Sequence, residues 1–178
     1  MAEEIELKFE INDNYEKVVN KILSIAKFVK SAYELTVMYD DLEGSLFKRD
    51  ARLRLRKIID LVNNKENCEI SFKKPKTREG IKIEDESETS VNSFKEMEEI
   101  LIKLSYEKKS SYERVRDTFI GNGCKITLDS FPFGDFVEIE GDIEIIKKVA
   151  EILRYDLRDN ITKSCDDIYA DLCNEKNE

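Results

Sequence analysis

Residues 4–11 have the sequence Glu-Ile-Glu-Leu-Lys-Phe-Glu-Ile, in which charged and apolar side chains alternate without a break. Successive side chains of a β-strand point to opposite faces, so Ile5, Leu7 and Phe9 share one face and the charged residues share the other. Strict alternation predicts a strand with one buried face and one ionic face. The same period of two recurs over most of the chain and decides the fold class.

Seven further segments alternate in this way and are predicted strands: Thr36–Asp40, Ala51–Ile59, Asn67–Lys73, Ile81–Glu86, Tyr112–Ile120, Lys125–Asp129 and Phe136–Glu140. Asn63-Asn64 and Gly121-Asn122-Gly123 have the residue types of tight hairpin turns. Short turns of this kind join antiparallel neighbours. The sequence therefore predicts an antiparallel sheet of about eight strands.

Three segments have apolar residues at helical spacing instead, over residues 15–29, 91–104 and 146–153. Asn12 and Asp13 precede the first as candidate caps. A further short helix or coil is expected around residues 166–173. Eight strands with three good helices predict an α+β domain dominated by an antiparallel sheet.

The chain has 178 residues, of which 40% are hydrophobic and 39% charged, a balance typical of a globular protein. This length predicts one domain, over residues 1–173, followed by a polar tail at 174–178. With 30 Lys and Arg against 39 Asp and Glu, the formal net charge is −9. Such acidity argues against a protein that follows a nucleic-acid backbone over a wide surface, and it leaves room for a local basic site.

Histidine is absent from the chain, and this removes several classes of chemistry. A Ser-His-Asp triad, a Cys-His pair, a His-ligated zinc site and an imidazole general base are all excluded. The four cysteines have no CxxC spacing, which favours reduced thiols. Catalysis would have to use carboxylates, lysines, arginines, hydroxyls, thiols or a metal held by oxygen ligands.

We expect a cytoplasmic protein that makes no contact with a membrane. The segment Met1-Ala2-Glu3-Glu4 is acidic and leads directly into the first strand, so no signal peptide is predicted. No apolar run approaches the ~20 residues that cross a bilayer.

The polar strand faces carry like charges two residues apart. Arg52, Arg54 and Arg56 share one strand face, and Arg114 and Arg116 share another. An open sheet with helices on its dry side and water on the other would explain charged faces in general. Eight antiparallel strands can also close into a barrel, with the helices outside and the ionic faces turned inward. Because like charges repel, such faces favour a counter-charged ligand between them.

An ionic lumen of this kind would suit a polyanion that carries a divalent metal. A guanidinium group can donate two parallel hydrogen bonds to the oxygens of one phosphate. Carboxylates cannot bind the same anion directly, but they bind hard divalent cations, which in turn bridge phosphate oxygens.

The order of the motifs resembles the CYTH superfamily, the triphosphate tunnel metalloenzymes. Glu4-Ile5-Glu6-Leu7-Lys8 resembles the ExExK signature of that family, and Leu53-Arg54-Leu55-Arg56 resembles its LRxR strand. Later segments are similar to its remaining motifs in the same order: Tyr39-Asp40, Ser71–Pro75, Lys82–Glu86, Arg114–Arg116, Leu128-Asp129 and Gly134–Gly141. The resemblance covers residues 4 to 170.

The resemblance implies an eight-stranded antiparallel tunnel that holds a triphosphate and divalent metal ions, Mg²⁺ or Mn²⁺. By position, the metal ligands would be Glu4, Glu6, Asp129, Glu138 and Glu140. The phosphate-binding residues would be Lys8, Arg54, Arg56, Lys73, Lys82, Arg114 and Arg116. The catalytic residues would be Glu4, Glu6, Lys8 and Glu138.

Three positions depart from the family pattern. Lys74 replaces the usual glycine before Pro75, at the end of a strand. Ser164-Cys165 stands where cyclase-like members often have Ser-Tyr, and Arg114 stands where lysine is common. Lys74 would alter the mouth of the tunnel, and Ser164-Cys165 would alter its closure by the C-terminal segment.

The closing motif and the Tyr-Asp strand look more like the class IV adenylyl cyclase branch, which implies conversion of ATP to cyclic AMP and pyrophosphate. A hydrolase of ATP, tripolyphosphate or thiamine triphosphate would use the same tunnel and stays open. So do a non-catalytic polyphosphate or nucleotide sensor and an acidic interaction domain whose charged strands face water. A homodimer that covers the apolar outer face is also left open.

Overall fold

Eight strands and three α-helices make up the computed structural model, which describes residues 2–77, 80–165 and 167–169. The strands are β1 (Ala2–Glu10), β2 (Lys27–Asp40), β3 (Arg52–Asp60), β4 (Glu66–Thr77), β5 (Lys82–Val91), β6 (Glu107–Gly121), β7 (Cys124–Phe131) and β8 (Gly134–Gly141). The helices are α1 (Tyr15–Leu23), α2 (Phe94–Lys103) and α3 (Ile143–Leu153). No helix among these residues is both long and apolar enough to span a bilayer.

The strands form a closed antiparallel barrel in the order β1-β5-β4-β3-β2-β6-β7-β8. Closure is completed by β1, which pairs with β5 on one side and with β8 on the other. Leu7 of β1 lies opposite Ile139 of β8, and Ile5 lies opposite Ile83 of β5. The predicted α+β fold with a closed eight-stranded barrel is confirmed, and the open sheet is excluded.

The apolar core lies outside the barrel wall, between the strands and the helices. Helices α1 and α3 cover one cluster, in which Ile126, Leu128 and Ile139 are fully buried. Helix α2 covers a second cluster around Leu55 on β3. Each fully buried aliphatic side chain contributes about 1.5–3 kcal/mol. Because the apolar faces point outward to the helices, the ionic faces of the same strands point into the barrel.

The ends of the first two helices differ from the prediction. Helix α1 begins after the cap Asn14, whose side chain accepts a hydrogen bond from the Lys17 amide, so Asn12 and Asp13 are not the caps. It ends at Leu23, and Val29 lies on β2, which pairs with β6 from Lys27 onward. The helical stripe drawn over residues 15–29 is therefore wrong in its last part.

Several strands are longer than the alternation predicts. Strand β2 begins at Lys27 rather than Thr36, and its register against β6 shifts between Phe28 and Lys30. The pairing is regular from Lys30 to Met38, but residues 31–33 do not alternate clearly between polar and apolar, which hides this part of the strand from a test for period two. Strand β6 begins at Glu107, ahead of the predicted start. Strand β5 continues to Val91, which pairs with Cys68 and does not belong to α2.

Both predicted hairpin turns are confirmed. Asn122 and Gly123 join β6 to β7 with φ angles of 50° and 76°. Two consecutive positive φ angles define the two-residue turn that matches the twist of antiparallel strands. Asn64, in the turn between β3 and β4, has a φ angle of 53°.

An apolar cluster closes one end of the barrel. The cluster contains Met38, Tyr112, Phe131 and Phe136, which lie at the same end of the barrel. They pack with Cys165 from the C-terminal segment. That segment is held to β1, since the amide of residue 161 donates to the Lys8 carbonyl at 2.8 Å. Residues 165 and 167–169 are helical, and the rest of the helix or coil expected at 166–173 lies outside the described residues, as does the predicted tail at 174–178.

Candidate functional site

The interior of the barrel holds a cavity of about 350 Å³ with an ionic lining. Its basic side chains are those of Lys8, Lys30, Arg54, Arg56, Lys73, Lys82, Arg114, Arg116 and Lys125. Its acidic side chains are those of Glu4, Glu6, Glu34, Glu69, Glu86, Glu88, Glu138 and Glu140. Nine cations and eight anions therefore face the lumen of a chain whose net charge is −9. The excess of acidic residues in the chain therefore lies outside the lumen.

Eleven of the twelve side chains predicted for the site line this cavity: Glu4, Glu6, Lys8, Arg54, Arg56, Lys73, Lys82, Arg114, Arg116, Glu138 and Glu140. The alternation of each strand brings them there, because every second residue points inward. The twelfth, Asp129, is fully buried and does not reach the lining. Asp129, predicted as an acidic lumen residue and metal ligand, therefore lies behind the side chains that line the cavity.

Asp129 is instead the shared partner of two arginines on β6. The Nη1 atom of Arg114 lies 3.0 Å from Asp129 Oδ2, and Nε of Arg116 lies 2.6 Å from Oδ1. Arg114 also donates through Nε to Oε2 of Glu34 at 2.8 Å. Both carboxylate oxygens of Asp129 are thus occupied by guanidinium groups, which hold the two arginines in place along the lumen wall.

Lys8 is the most deeply buried cation of the lumen, with 2% of its side chain exposed. Its ammonium lies 3.1 Å from Oε1 of Glu138 and 3.2 Å from the Lys163 carbonyl. Burial alone would lower the pKa of Lys8, but the negative charges of Glu138 and Glu6 help to raise it well above its usual value. Lys8 therefore stays charged inside the barrel.

Glu138 accepts hydrogen bonds from two directions. Its Oε2 atom lies 2.6 Å from Nη2 of Arg116, while its Oε1 atom faces Lys8. Burial alone would raise the pKa of Glu138, but the charges of Lys8 and Arg116 outweigh it and hold the pKa well below its usual range. The carboxylate is therefore ionised at neutral pH.

Two further lysines are each shared between carboxylates of neighbouring strands. Lys82 of β5 lies 2.8 Å from Oε1 of Glu6 and 2.7 Å from Oε2 of Glu84. Lys73 of β4 contacts Glu4 and lies 3.2 Å from Oε1 of Glu86. These pairs bridge β1, β5 and β4 across the lumen wall.

The pairing with lysine has its clearest electrostatic effect on the pKa of Glu4. Burial alone would raise its pKa, but the charge of Lys73 and the hydrogen bond from it lower the pKa to about 2. Glu140, paired with Lys125, differs, since burial raises its pKa despite the cation. Glu140 therefore takes up a proton more readily than Glu4.

Two arginines of β3 line the cavity, and each contacts neighbouring strands. Arg56 donates through Nε to Thr36 at 2.9 Å and through Nη1 to Glu69 at 3.0 Å. The contacts of Arg54 include the Ser71 hydroxyl at 3.3 Å and Glu86 at 3.7 Å. Both guanidinium groups are therefore held along the lumen wall.

The donor set of the lumen suits a hard divalent cation. All the acidic lining groups are carboxylates, which supply the oxygen ligands that Mg²⁺ and Mn²⁺ prefer. Within the residues that the structure describes, no three acidic or sulfur side chains converge as a ready-made cage. Mg²⁺ is commonly held by one or two carboxylates together with phosphates of the substrate, so the residues fit a metal that arrives with a phosphate.

Several lumen residues escaped prediction from the sequence. Glu34 lies on the part of β2 that the alternation missed, so no charged residue was assigned there. Lys125 was noted as charged but given no role, although it lines the cavity. Thr127 also lines the cavity but is neutral, and it gave no signal in a search for charged faces.

The closed barrel with an ionic lumen defines a tunnel-type α+β protein. The chain belongs to the CYTH family, because the family model described as CYTH domain matches residues 2–164. Members of this family are generally enzymes, either adenylyl cyclases or triphosphatases, and they use divalent metals.

One sequence relative and two solved structures illustrate the likeness. A Methanocaldococcus jannaschii protein named "Putative adenylate cyclase MJ0240" is 23% identical over 152 residues, or 84% of this chain and 83% of the relative. A Vibrio parahaemolyticus structure, described as a "putative adenylate cyclase", has a TM-score of 0.77 at 20% identity and covers 94% of this chain and 97% of its own.

A third comparison is with a structure from Hippeastrum, described as a "putative adenylyl cyclase" with a dominant triphosphatase activity. It has a TM-score of 0.62 at 20% identity, with 85% of each chain covered. At these identities the two structures support the fold alone.

Proposed function

We propose that the chain is a metal-dependent enzyme that cleaves a phosphoric anhydride bond of a triphosphate held in the lumen. The observation that carries the proposal is the gathering of nine basic side chains from seven of the eight strands around one cavity inside the barrel. In the structure the carboxylates of the same lining pair with these cations. A bound polyanion would replace the carboxylates as the partners of the cations and leave the carboxylates to a metal ion.

The lumen cations bind phosphate oxygens by exchanging their partners. In the structure, Lys73 faces Glu4 and Glu86, and Lys82 faces Glu6. Phosphate oxygens, like carboxylate oxygens, accept charge-assisted hydrogen bonds from ammonium groups. We expect the guanidinium groups of Arg54 and Arg56 to exchange partners in the same way.

The carboxylates released by this exchange are the proposed metal ligands, namely Glu4, Glu6, Glu138 and Glu140. When bound there, a divalent ion would neutralise phosphate charge and lower the barrier to attack on phosphorus. Asp129 is not proposed as a ligand, since it is fully buried, does not line the cavity and holds arginines with both oxygens. We propose it as a positioning residue for Arg114 and Arg116.

The residues of the lumen favour a small triphosphate as the substrate. Among the described lining residues, Ile58 is the only aliphatic side chain and Tyr112 the only aromatic one. A nucleobase binds best against apolar and aromatic surfaces, which this lining supplies sparsely. Phosphoryl transfer needs mainly positioning and charge neutralisation, which the lining supplies throughout. Hydrolysis of tripolyphosphate or of a nucleoside or thiamine triphosphate is therefore our first candidate.

Adenylyl cyclase activity is the second candidate. It is supported by the name of the Methanocaldococcus relative and by the closing motif at residues 134–141. In this case the ribose 3′-hydroxyl would attack the α-phosphorus, and pyrophosphate would leave. The same cations would hold the phosphates in both reactions, so the lumen serves either.

Product analysis of the purified full chain tests the proposal. The protein is incubated with Mg²⁺ or Mn²⁺ and, separately, with tripolyphosphate, ATP and thiamine triphosphate. Release of phosphate without cyclic AMP supports the hydrolase, and cyclic AMP with pyrophosphate supports the cyclase. Tight binding without turnover under either metal would instead leave a non-catalytic sensor.

A matched pair of variants assigns the activity to the lumen. Glu4→Gln removes a lumen carboxylate, whereas Glu3→Gln removes the neighbouring carboxylate, which is exposed and contacts Lys76. We expect Glu4→Gln to lower kcat by about 10²-fold or more and Glu3→Gln to change it by less than about twofold. Equal loss in both variants would contradict a lumen site.

A further inference from the structure

One buried hydroxyl in the barrel wall, on a residue that lines the lumen, has no hydrogen-bond partner. Three buried side-chain polar atoms among the described residues lack such a partner: Oε2 of Glu84, Oδ1 of Asp85 and Oγ1 of Thr127. Oε2 of Glu84 lies 2.7 Å from the Lys82 ammonium, and Oδ1 of Asp85 lies 3.9 Å from that of Lys76, so cations compensate both. Thr127 is also the only one of the three residues that lines the cavity.

Thr127 is held in place by the barrel wall. It lies on β7 opposite Thr118 of β6 and Glu138 of β8, and only 2% of its surface is exposed. The side chains that flank it on the same strand face, Lys125 and Asp129, are engaged with Glu140 and with two arginines respectively. A threonine in a strand has a restricted χ1 angle, so its hydroxyl is fixed in direction.

The groups around Thr127 leave its hydroxyl without an acceptor. Both oxygens of Glu138 already contact cations, at Lys8 and Arg116. A buried hydroxyl without a partner costs free energy, and natural proteins rarely keep one unless it has another use. A valine would fill almost the same volume without this cost.

We infer that Thr127 is a phosphate-binding residue, whose hydroxyl donates a hydrogen bond to an oxygen of the bound triphosphate. The inference rests on the proposed function and adds a neutral donor to its cations. Phosphate oxygens are strong acceptors, so they complement a donor that has no acceptor in the protein. Arg116 and Lys125, on either side, would contact the same anion.

The inference predicts opposite effects on stability and on binding. Thr127→Val removes only the hydroxyl, so the ligand-free protein should unfold at the same temperature or a higher one. A lost hydrogen bond to a charged group weakens binding about tenfold or more, and we expect that change in the Kd for tripolyphosphate. A residue that merely packs would lose stability and binding together.

The test measures thermal unfolding and calorimetric binding of tripolyphosphate, with Mg²⁺, for the full chain and three variants. Thr127→Ser keeps the hydroxyl and should bind within about twofold of the original chain, while Thr127→Val binds about tenfold more weakly. Thr89→Val removes a hydroxyl from an exposed position of β5 and should leave the Kd unchanged.

The outcomes separate this inference from the proposed function. If the original chain binds tripolyphosphate and Thr127→Val binds it equally well, the inference is overturned and the proposed function stands. If Thr127→Val and Thr127→Ser lose affinity equally, packing rather than the hydroxyl is responsible, and the inference is again overturned. If the original chain does not bind tripolyphosphate at all, both proposals fail.

Discussion

The two faces of the barrel wall are built from alternate residues of the same strands, yet they have opposite chemistry. On β8, Val137 and Ile139 point outward and are fully buried under the helices, whereas Glu138 and Glu140 point into the lumen. The outer face buries apolar surface, which drives folding. The inner face buries charges, whose mutual attraction does little more than offset the cost of removing them from water.

This contrast separates stability from binding along a single strand. The apolar composition of the outer face is explained by folding alone, because burial of aliphatic side chains is favourable in itself. The inner face holds nine cations and eight anions, an arrangement that gains little stability from burial and is best accounted for by a ligand. Substitutions on the outer face should therefore change stability without changing affinity for a triphosphate, and most inner substitutions should do the reverse.

The largest change in stability is expected at an inner residue that breaks this rule, Asp129. Replacement by alanine leaves Arg114 and Arg116 buried without their shared carboxylate. Breaking a buried ion pair from one side costs about 3–5 kcal/mol, and we expect a loss of about 4 kcal/mol in the free energy of unfolding. Urea denaturation measures it.

The control for this prediction is Glu99→Ala, which removes a carboxylate from the exposed face of α2. Surface changes of this kind usually stay within about 0.5 kcal/mol. A loss of less than about 1 kcal/mol at Asp129 would show that the two arginines do not depend on it.

The next largest effect is expected on the outer face, at Ile139. Alanine removes a fully buried side chain between the barrel and the helices, which should cost about 3 kcal/mol. Affinity for tripolyphosphate, measured by calorimetry below the unfolding temperature, should not change. A parallel loss of affinity would mean that the two faces of the wall are not independent.

Alternation along the strands allowed most of the wall to be predicted from the sequence. It identified the inward residues of β1, β3 and β8, because strict period two fixes which face a residue occupies. It could not show closure, since an open sheet has the same alternating faces. The choice of a barrel depended on the order of the motifs.

The parts that escaped prediction have physical causes of their own. Glu34 was missed because Ser31, Ala32 and Tyr33 before it do not alternate clearly between polar and apolar, so the predicted strand began only at Thr36. Asp129 was correctly assigned to the inward face of β7, but its full burial behind two arginines was not predicted. Alternation shows which face a side chain occupies and does not show which neighbouring side chains shield it. Thr127 was missed because its significance lies in the absence of a hydrogen-bond partner, which only coordinates reveal.

A smaller effect is expected in the pH dependence of stability. The pKa of Glu4 is lowered to about 2 in the folded chain from its ordinary value of 4.5, against burial and owing mainly to Lys73. The unfolded chain therefore takes up the proton first. The contribution of Glu4 is complete above about pH 5 and is lost as the pH falls toward 2, with a magnitude of about 2 kcal/mol.

Glu4→Gln should flatten the acid limb of a plot of unfolding free energy against pH between about pH 5 and pH 2.5. Glu3→Gln should flatten it less, because Glu3 is exposed and its contact with Lys76 is screened by solvent. Identical acid limbs for Glu4→Gln and the original chain would show that the Glu4–Lys73 contact does not contribute.

The central claim is that the inner face of the barrel binds a triphosphate, and two double variants of one hairpin test it most directly. Arg54→Ala with Arg56→Ala removes two cations from the lumen, and Lys57→Ala with Lys65→Ala removes two from the outside of the same hairpin. Calorimetric titration with tripolyphosphate and Mg²⁺ should show affinity at least about 100-fold weaker for the arginine variant. The lysine variant should stay within about twofold of the original chain, and equal affinity in both variants would contradict the claim.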